Sequence, residues 1–186
     1  MDKEPKFLKF KGKRIAYLEE GSGPNIFLFH GMNGSSRSWK YLFEELKESF
    51  RIVAWDAPSF GETDVFGDQL EDFVCVAKFM VSQLNLENAV LVGHSMGGMI
   101  AWKYALSNLD QLKGLIIIGS AFFANEQEFN EFQSINAPPL AFELIESKFF
   151  IRLLEFLTPR ILVKEGVSQT VYDQSIVTDE LVDQFH

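Results

Sequence analysis

One serine, set among glycines two positions away on either side, is the residue in this chain best equipped for chemistry. Gly93-His94-Ser95-Met96-Gly97 is a G-x-S-x-G pentapeptide followed by a further Gly98. Ahead of it, Ala89 to Val92 is a short unbroken apolar run, as in a parallel strand covered on both faces. From Met96 on, the chain is apolar nearly all round, as in a buried helix. A strand can turn into a helix within a few residues only if the residue at the bend takes a strained backbone conformation. That strain crowds anything larger than glycine two positions away. Ser95 is therefore expected to stand exposed above a sheet, as a nucleophile at a sharp elbow.

A serine hydroxyl at its free pKa is a weak nucleophile and needs a base, itself held by a carboxylate. The chain has three histidines, His30, His94 and His186. His94 is adjacent to Ser95 and directed away from it, which suits a structural or substrate-lining place better than a catalytic one. His186 is the last residue and reads as a solvent-exposed terminus. The single Cys75 lies within an amphipathic helical pattern, has no internal partner for a disulfide, and reads as a small buried hydrophobe.

The elements that must position Ser95 follow from periodicity. Lys6 to Phe10 and Arg14 to Glu19, parted by Gly12, read as an opening hairpin whose first member is a lysine-rich edge strand. Ile26 to Phe29 is a continuous apolar run ending in His30-Gly31, a central strand with a functional loop at its carboxyl end. Trp39, Leu42, Phe43 and Leu46 fall at helical spacing, and Arg51 to Trp55 is the next strand. Phe73, Ala77, Met80 and Leu84 mark a second helix, and Leu112 to Ile118 one more apolar strand. The order β-β-β-α-β-α-β-α-β predicts an α/β fold, an open, mostly parallel sheet with helices on both faces.

The pattern changes after Gly119-Ser120. Residues 121–186 carry helical pieces around Gln127 to Ser134, from Leu140 to Leu157 and from Pro159, where Thr158 is placed to cap. Thr178, with Asp179 and Glu180 after it, reads as another helix start. The organisation expected is residues 1–120 as the N-terminal part of a core and residues 121–186 as a helical lid. The lid is rich in phenylalanine, and Phe122 and Phe123 are candidates for the wall of a substrate cleft.

Composition narrows the function classes. The chain has 186 residues, 47% of them hydrophobic, enough for one substantial core. Its formal charge of -9 and pI near 4.8 oppose binding to nucleic acid, which needs a concentrated basic surface. The charged start has no apolar run of signal-peptide length after it, and nothing reaches the ~18 apolar residues of a membrane span. A cytoplasmic location is the expectation, with a small molecule as partner.

Three motifs in order carry a resemblance: His30-Gly31-Met32-Asn33-Gly34, Asp56-Ala57-Pro58-Ser59-Phe60-Gly61 and Gly93-His94-Ser95-Met96-Gly97-Gly98. Together they resemble the lid-bearing members of the α/β-hydrolase family, closely over about residues 7 to 120 and more loosely through the lid. Where Ser59 stands the family usually shows glycine. Dehalogenases and epoxide hydrolases of this family use an aspartate at the elbow, so Ser95 implies acyl transfer on an ester, thioester, amide or carbon-carbon bond next to a carbonyl. The resemblance implies an oxyanion hole from the backbone amides of Met96 and Met32, with Gly31 beside it. It gives His30 and Asp56 roles in shaping loops, and implies neither metal nor cofactor.

In the family's order the acid follows a seventh strand and the histidine an eighth, with some members placing the acid after the sixth, where Glu126 is a weak candidate. The resemblance thus implies an incomplete core here, with base and acid supplied by a complementary C-terminal fragment or second chain. Two other functions compete: a non-catalytic ligand- or partner-binding protein of the same shape, and cofactor-free peroxide chemistry.

Overall fold

The computed structural model describes residues 3–67 and 69–120 and, further along, Lys164, Ser168, Ser175, Val177, Thr178, Asp179 and Val182. The chain divides into two compact units, Met1–Ala121 and Phe122–His186.

The first unit is built on a six-stranded sheet. β1 (Lys6–Phe10) and β2 (Lys13–Glu20) form an antiparallel hairpin, and β2 pairs antiparallel with β4 (Arg51–Trp55). β3 (Asn25–Phe29) lies between β4 and β5 (Ala89–His94), parallel to both, and β6 (Leu112–Ile118) is parallel to β5. The order across the sheet is β1-β2-β4-β3-β5-β6. Only the opening hairpin breaks the parallel arrangement, as the run of apolar strands predicts.

Connectivity fixes the faces. From β3 the chain steps outward through α1 (Lys40–Leu46) to β4, then crosses back over β3 through α2 (Leu70–Gln83) to β5 and continues through α3 (Met96–Leu106) to β6. Right-handed crossovers running in opposite directions must put α1 on one face and α2 and α3 on the other. Two separate cores show this. Ile26, Leu28, Ile52, Ala54 and Val92 pack with Phe43 of α1. Phe27, Phe29, Val53 and Trp55 pack with Phe73, Ala77 and Met80 of α2 and Ile100, Ala101 and Tyr104 of α3. Both faces of each central strand are covered, which is why the strands read as unbroken apolar runs.

Two sequence expectations are corrected. Cys75 is exposed. It lies two residues after Phe73, about 200° round the helix from the buried stripe, so the solvent side claims it. Nor is α3 buried all round: Gly97, Ile100, Ala101 and Tyr104 face the core, while Trp102 and Leu106 are 44% and 59% exposed. On β6, the outermost of the described strands on that side, Ile116 and Ile118 are exposed as well.

In the second unit the helical turn expected after Thr178 is present: Val182 N–H donates to the Thr178 carbonyl at 3.1 Å, and Asp179 is helical. Phe122, Phe123, Glu126, His186 and the helices expected between residues 127 and 160 lie outside the described residues. No helix among the described residues is long and apolar enough to cross a membrane.

Candidate active site

β3 and β5 are neighbours whose following connections run in opposite directions, and a crevice opens at the carboxyl ends of such a pair. The register pairs Phe29 with Gly93. His30-Gly31 therefore runs alongside His94-Ser95, and a Cβ built on Gly31 would lie 3.2 Å from the Ser95 Cβ and 2.8 Å from His94 Nδ1. Local structure thus brings the first and third motifs together.

Ser95 occupies the bend itself, with φ 51 and ψ -121. A non-glycine residue in that region is strained and persists only where its surroundings hold it. The flanking glycines are what the strain demands. A Cβ on Gly93 would lie 2.5 Å from the Gly97 carbonyl oxygen, and one on Gly97 would lie 2.5 Å from the His30 carbonyl oxygen. Either contact would push α3 off the sheet.

Met96 opens α3, so its amide has no carbonyl within the helix. Met32 lies in the loop after β3 with its side chain 60% exposed. Among the described residues neither amide donates to an acceptor. His94 is exposed and Ser95 partly so.

His30 is only 1% exposed. Its Nε2 accepts from Ala57 N–H at 2.9 Å, which leaves Nδ1 to donate to the Gly31 carbonyl at 2.7 Å. Burial holds its pKa below the ordinary histidine range, and the Gly31 carbonyl and the Asp56 charge offset this only in part. With both nitrogens committed, His30 ties the loop after β3 to the loop after β4 and has no lone pair left to receive a proton from Ser95.

Asp56, 3% exposed, completes the tie. Its Oδ1 accepts from Ser36 N–H at 2.7 Å and its Oδ2 from Glu62 N–H at 2.9 Å, while its carbonyl accepts from the Thr63 hydroxyl at 2.7 Å. Ser36 and Thr63 went unremarked in the sequence, although a small polar residue in a loop near a buried carboxylate is the signal that could have found them. Ser120, which donates from its hydroxyl to the Ser95 carbonyl at 2.7 Å, is a further residue that sequence reasoning passed over. Among the described residues no three His, Cys, Asp or Glu side chains stand close enough to hold a metal ion.

A parallel sheet with a strained serine at its switch point defines the class, and residues 24–143 match the alpha/beta hydrolase fold family. The chain belongs to that family. It is 30% identical over 135 residues to bifunctional epoxide hydrolase 2 of Sus scrofa, covering 69% of this chain and 24% of that protein. Against haloalkane dehalogenase 2 of Mycobacterium tuberculosis (strain ATCC 25618 / H37Rv) it is 29% identical over 151 residues, 76% of this chain and 51% of that protein. Among solved structures, an esterase (EaEST) from Exiguobacterium antarcticum superposes with a TM-score of 0.60 at 27% identity, covering 66% of this chain and 48% of the other. The chain thus spans about a quarter to a half of the length of these curated relatives.

Proposed function

We propose that this chain carries the nucleophile and the oxyanion-stabilising part of a serine hydrolase that works by acyl transfer. Its substrate is a small apolar ester, thioester, amide or carbon-carbon bond next to a carbonyl. The observation that supports this best is the Ser95 backbone, at φ 51 and ψ -121 beside two amides without acceptors among the described residues. Strain of this kind is retained where it presents a side chain for reaction.

In this reading Ser95 Oγ attacks the carbonyl carbon, and the negative charge that develops on the carbonyl oxygen is met by Met96 N–H and Met32 N–H. Preorganised donors aimed at that oxygen are typically worth ~10²- to 10³-fold each in rate. Gly31 and His94 line the approach. The esterase likeness favours acyl chemistry, as does a hydroxyl where the resemblance gives dehalogenases and epoxide hydrolases a carboxylate. His30 is excluded as base by its two hydrogen bonds, and in this reading base and acid come from outside the described residues, from a complement such as a C-terminal segment or second chain.

A fluorophosphonate probe tests the reading, applied to the chain alone and together with such a complement. Stoichiometric labelling at Ser95 that disappears in S95A is expected. A correctly folded, complemented protein that stays unlabelled would instead be a ligand- or partner-binding protein with a hydrolase shape.

A further inference from the structure

The main chain of Ser95 is gripped from outside its own elbow. Its N–H donates to the Ile118 carbonyl at 3.0 Å, at the end of β6. Its carbonyl accepts from Ser120 Oγ at 2.7 Å, from Gly98 N–H at 2.9 Å and from Met99 N–H at 3.3 Å. The two amide donors belong to the first turn of α3, and the shortest of the three bonds comes from the residue just past β6.

The carbonyl of Ser95 and the amide of Met96 are two ends of one planar peptide group, and in a trans peptide they point in opposite directions. Whatever orients the carbonyl therefore orients the amide. A hydrogen bond accepted by a peptide oxygen also polarises the group and strengthens its N–H as a donor. Resting on the serine-hydrolase reading above, we propose that Ser120 is a positioning residue: its hydroxyl holds the Ser95–Met96 peptide so that the Met96 amide faces the substrate's developing oxyanion.

Ser120 touches neither the substrate nor the Ser95 hydroxyl in this account, and acts through that one peptide. The helix donors remain when its hydroxyl is removed, so the elbow keeps its shape and loses only the outer restraint. The expected loss is accordingly smaller than for deleting an oxyanion donor outright, about three- to tenfold in rate.

The test compares the wild-type chain with S120A, S120T and S120C, each together with the complement that supplies base and acid, by two readouts, with folding followed by thermal unfolding. The first is the NMR resonances of the Ser95 carbonyl carbon and the Met96 amide. In S120A both move upfield as the bond is lost, S120T restores them, and S120C, of similar size but a weak donor, moves them part of the way. The second is the rate of fluorophosphonate labelling at Ser95, which falls three- to tenfold in S120A and recovers in S120T. Should S120A fail to fold, S120C carries the same comparison with a smaller effect. Unmoved resonances overturn the proposal. So do resonances that move while the labelling rate stays at the wild-type value. A wild-type protein that is never labelled, with resonances that shift as described, overturns the hydrolase reading and leaves the grip on the peptide standing.

Discussion

Ser59, at the turn after β4, has a left-handed backbone with φ 71. This is the position where the family resemblance leads one to expect glycine, and the angle explains the preference: a side chain there costs roughly 1 to 2 kcal/mol. The hydroxyl returns part of that cost by accepting from Phe66 N–H at 3.3 Å, a long bond. S59G is therefore expected to stabilise the protein by about 0.5 to 1 kcal/mol, read as a higher urea midpoint. His30 makes a pH-dependent contribution of definite sign. Burial lowers its folded-state pKa, so the unfolded chain takes up the proton first. The stability it contributes is whole above about pH 6.5, the unfolded value, and is lost as pH falls through the folded pKa. Protonation would also set an Nε2 donor against Ala57 N–H. Urea midpoints from pH 7.5 down to 4.5 should fall below about pH 6.5, and H30Q should show a shallower acid limb at a lower overall stability.

Elements of this fold are joined by polar ties as well as by apolar packing. Glu19 of β2 accepts from Lys6 of β1 at 2.8 Å and from Arg51 Nε of β4 at 2.8 Å, and Arg51 reaches on to the Leu84 carbonyl at the end of α2, also at 2.8 Å. Burial acts to raise the Glu19 pKa, but the bonds from Lys6 and Arg51 outweigh it and hold it below the ordinary value. Lys6 is raised in turn by the same bond. A depressed carboxyl stabilises above the unfolded pKa near 4.3 and ceases to do so as pH drops through the folded value. E19Q should cost about 1 to 2 kcal/mol at neutral pH, and the gap from wild type should narrow by pH 3. The elements were legible in the sequence because each is a local pattern: Arg51–Trp55 is an apolar run after a single polar residue, and Gly12 splits the hairpin. The side on which Cys75 lies was readable from the stripe through Phe73 and Ala77, and was misread because small apolar residues are usually inside. Ser95 was legible because its constraint sits within five residues. The grip of Ser120 on its carbonyl was not, since it spans 25 residues and depends on β6 lying beside β5, an arrangement no local pattern encodes.

At the scale of the molecule, the proposed nucleophile and oxyanion donors belong to the unit Met1–Ala121, while on the proposed reading the proton acceptor lies outside the described residues. Enzymes stripped of a triad member keep a residual ~10³ to 10⁴ over the uncatalysed rate. Hydrolysis of an activated ester by this chain alone should lie near that level. It should rise when a complement supplies base and acid, and S95A should remove that rise while leaving the chain-alone rate near its residual level. Asp56 gives the unit one more property. A single carboxylate holds the amides of Ser36 and Glu62, while the Asp56 amide is itself bound to the Ala16 carbonyl at 2.9 Å. Loops that leave different strands are thereby pinned to one rigid post. Asp56→Ala removes both acceptors, so deuterium should enter faster at the Ser36 and Glu62 amides alike in that variant.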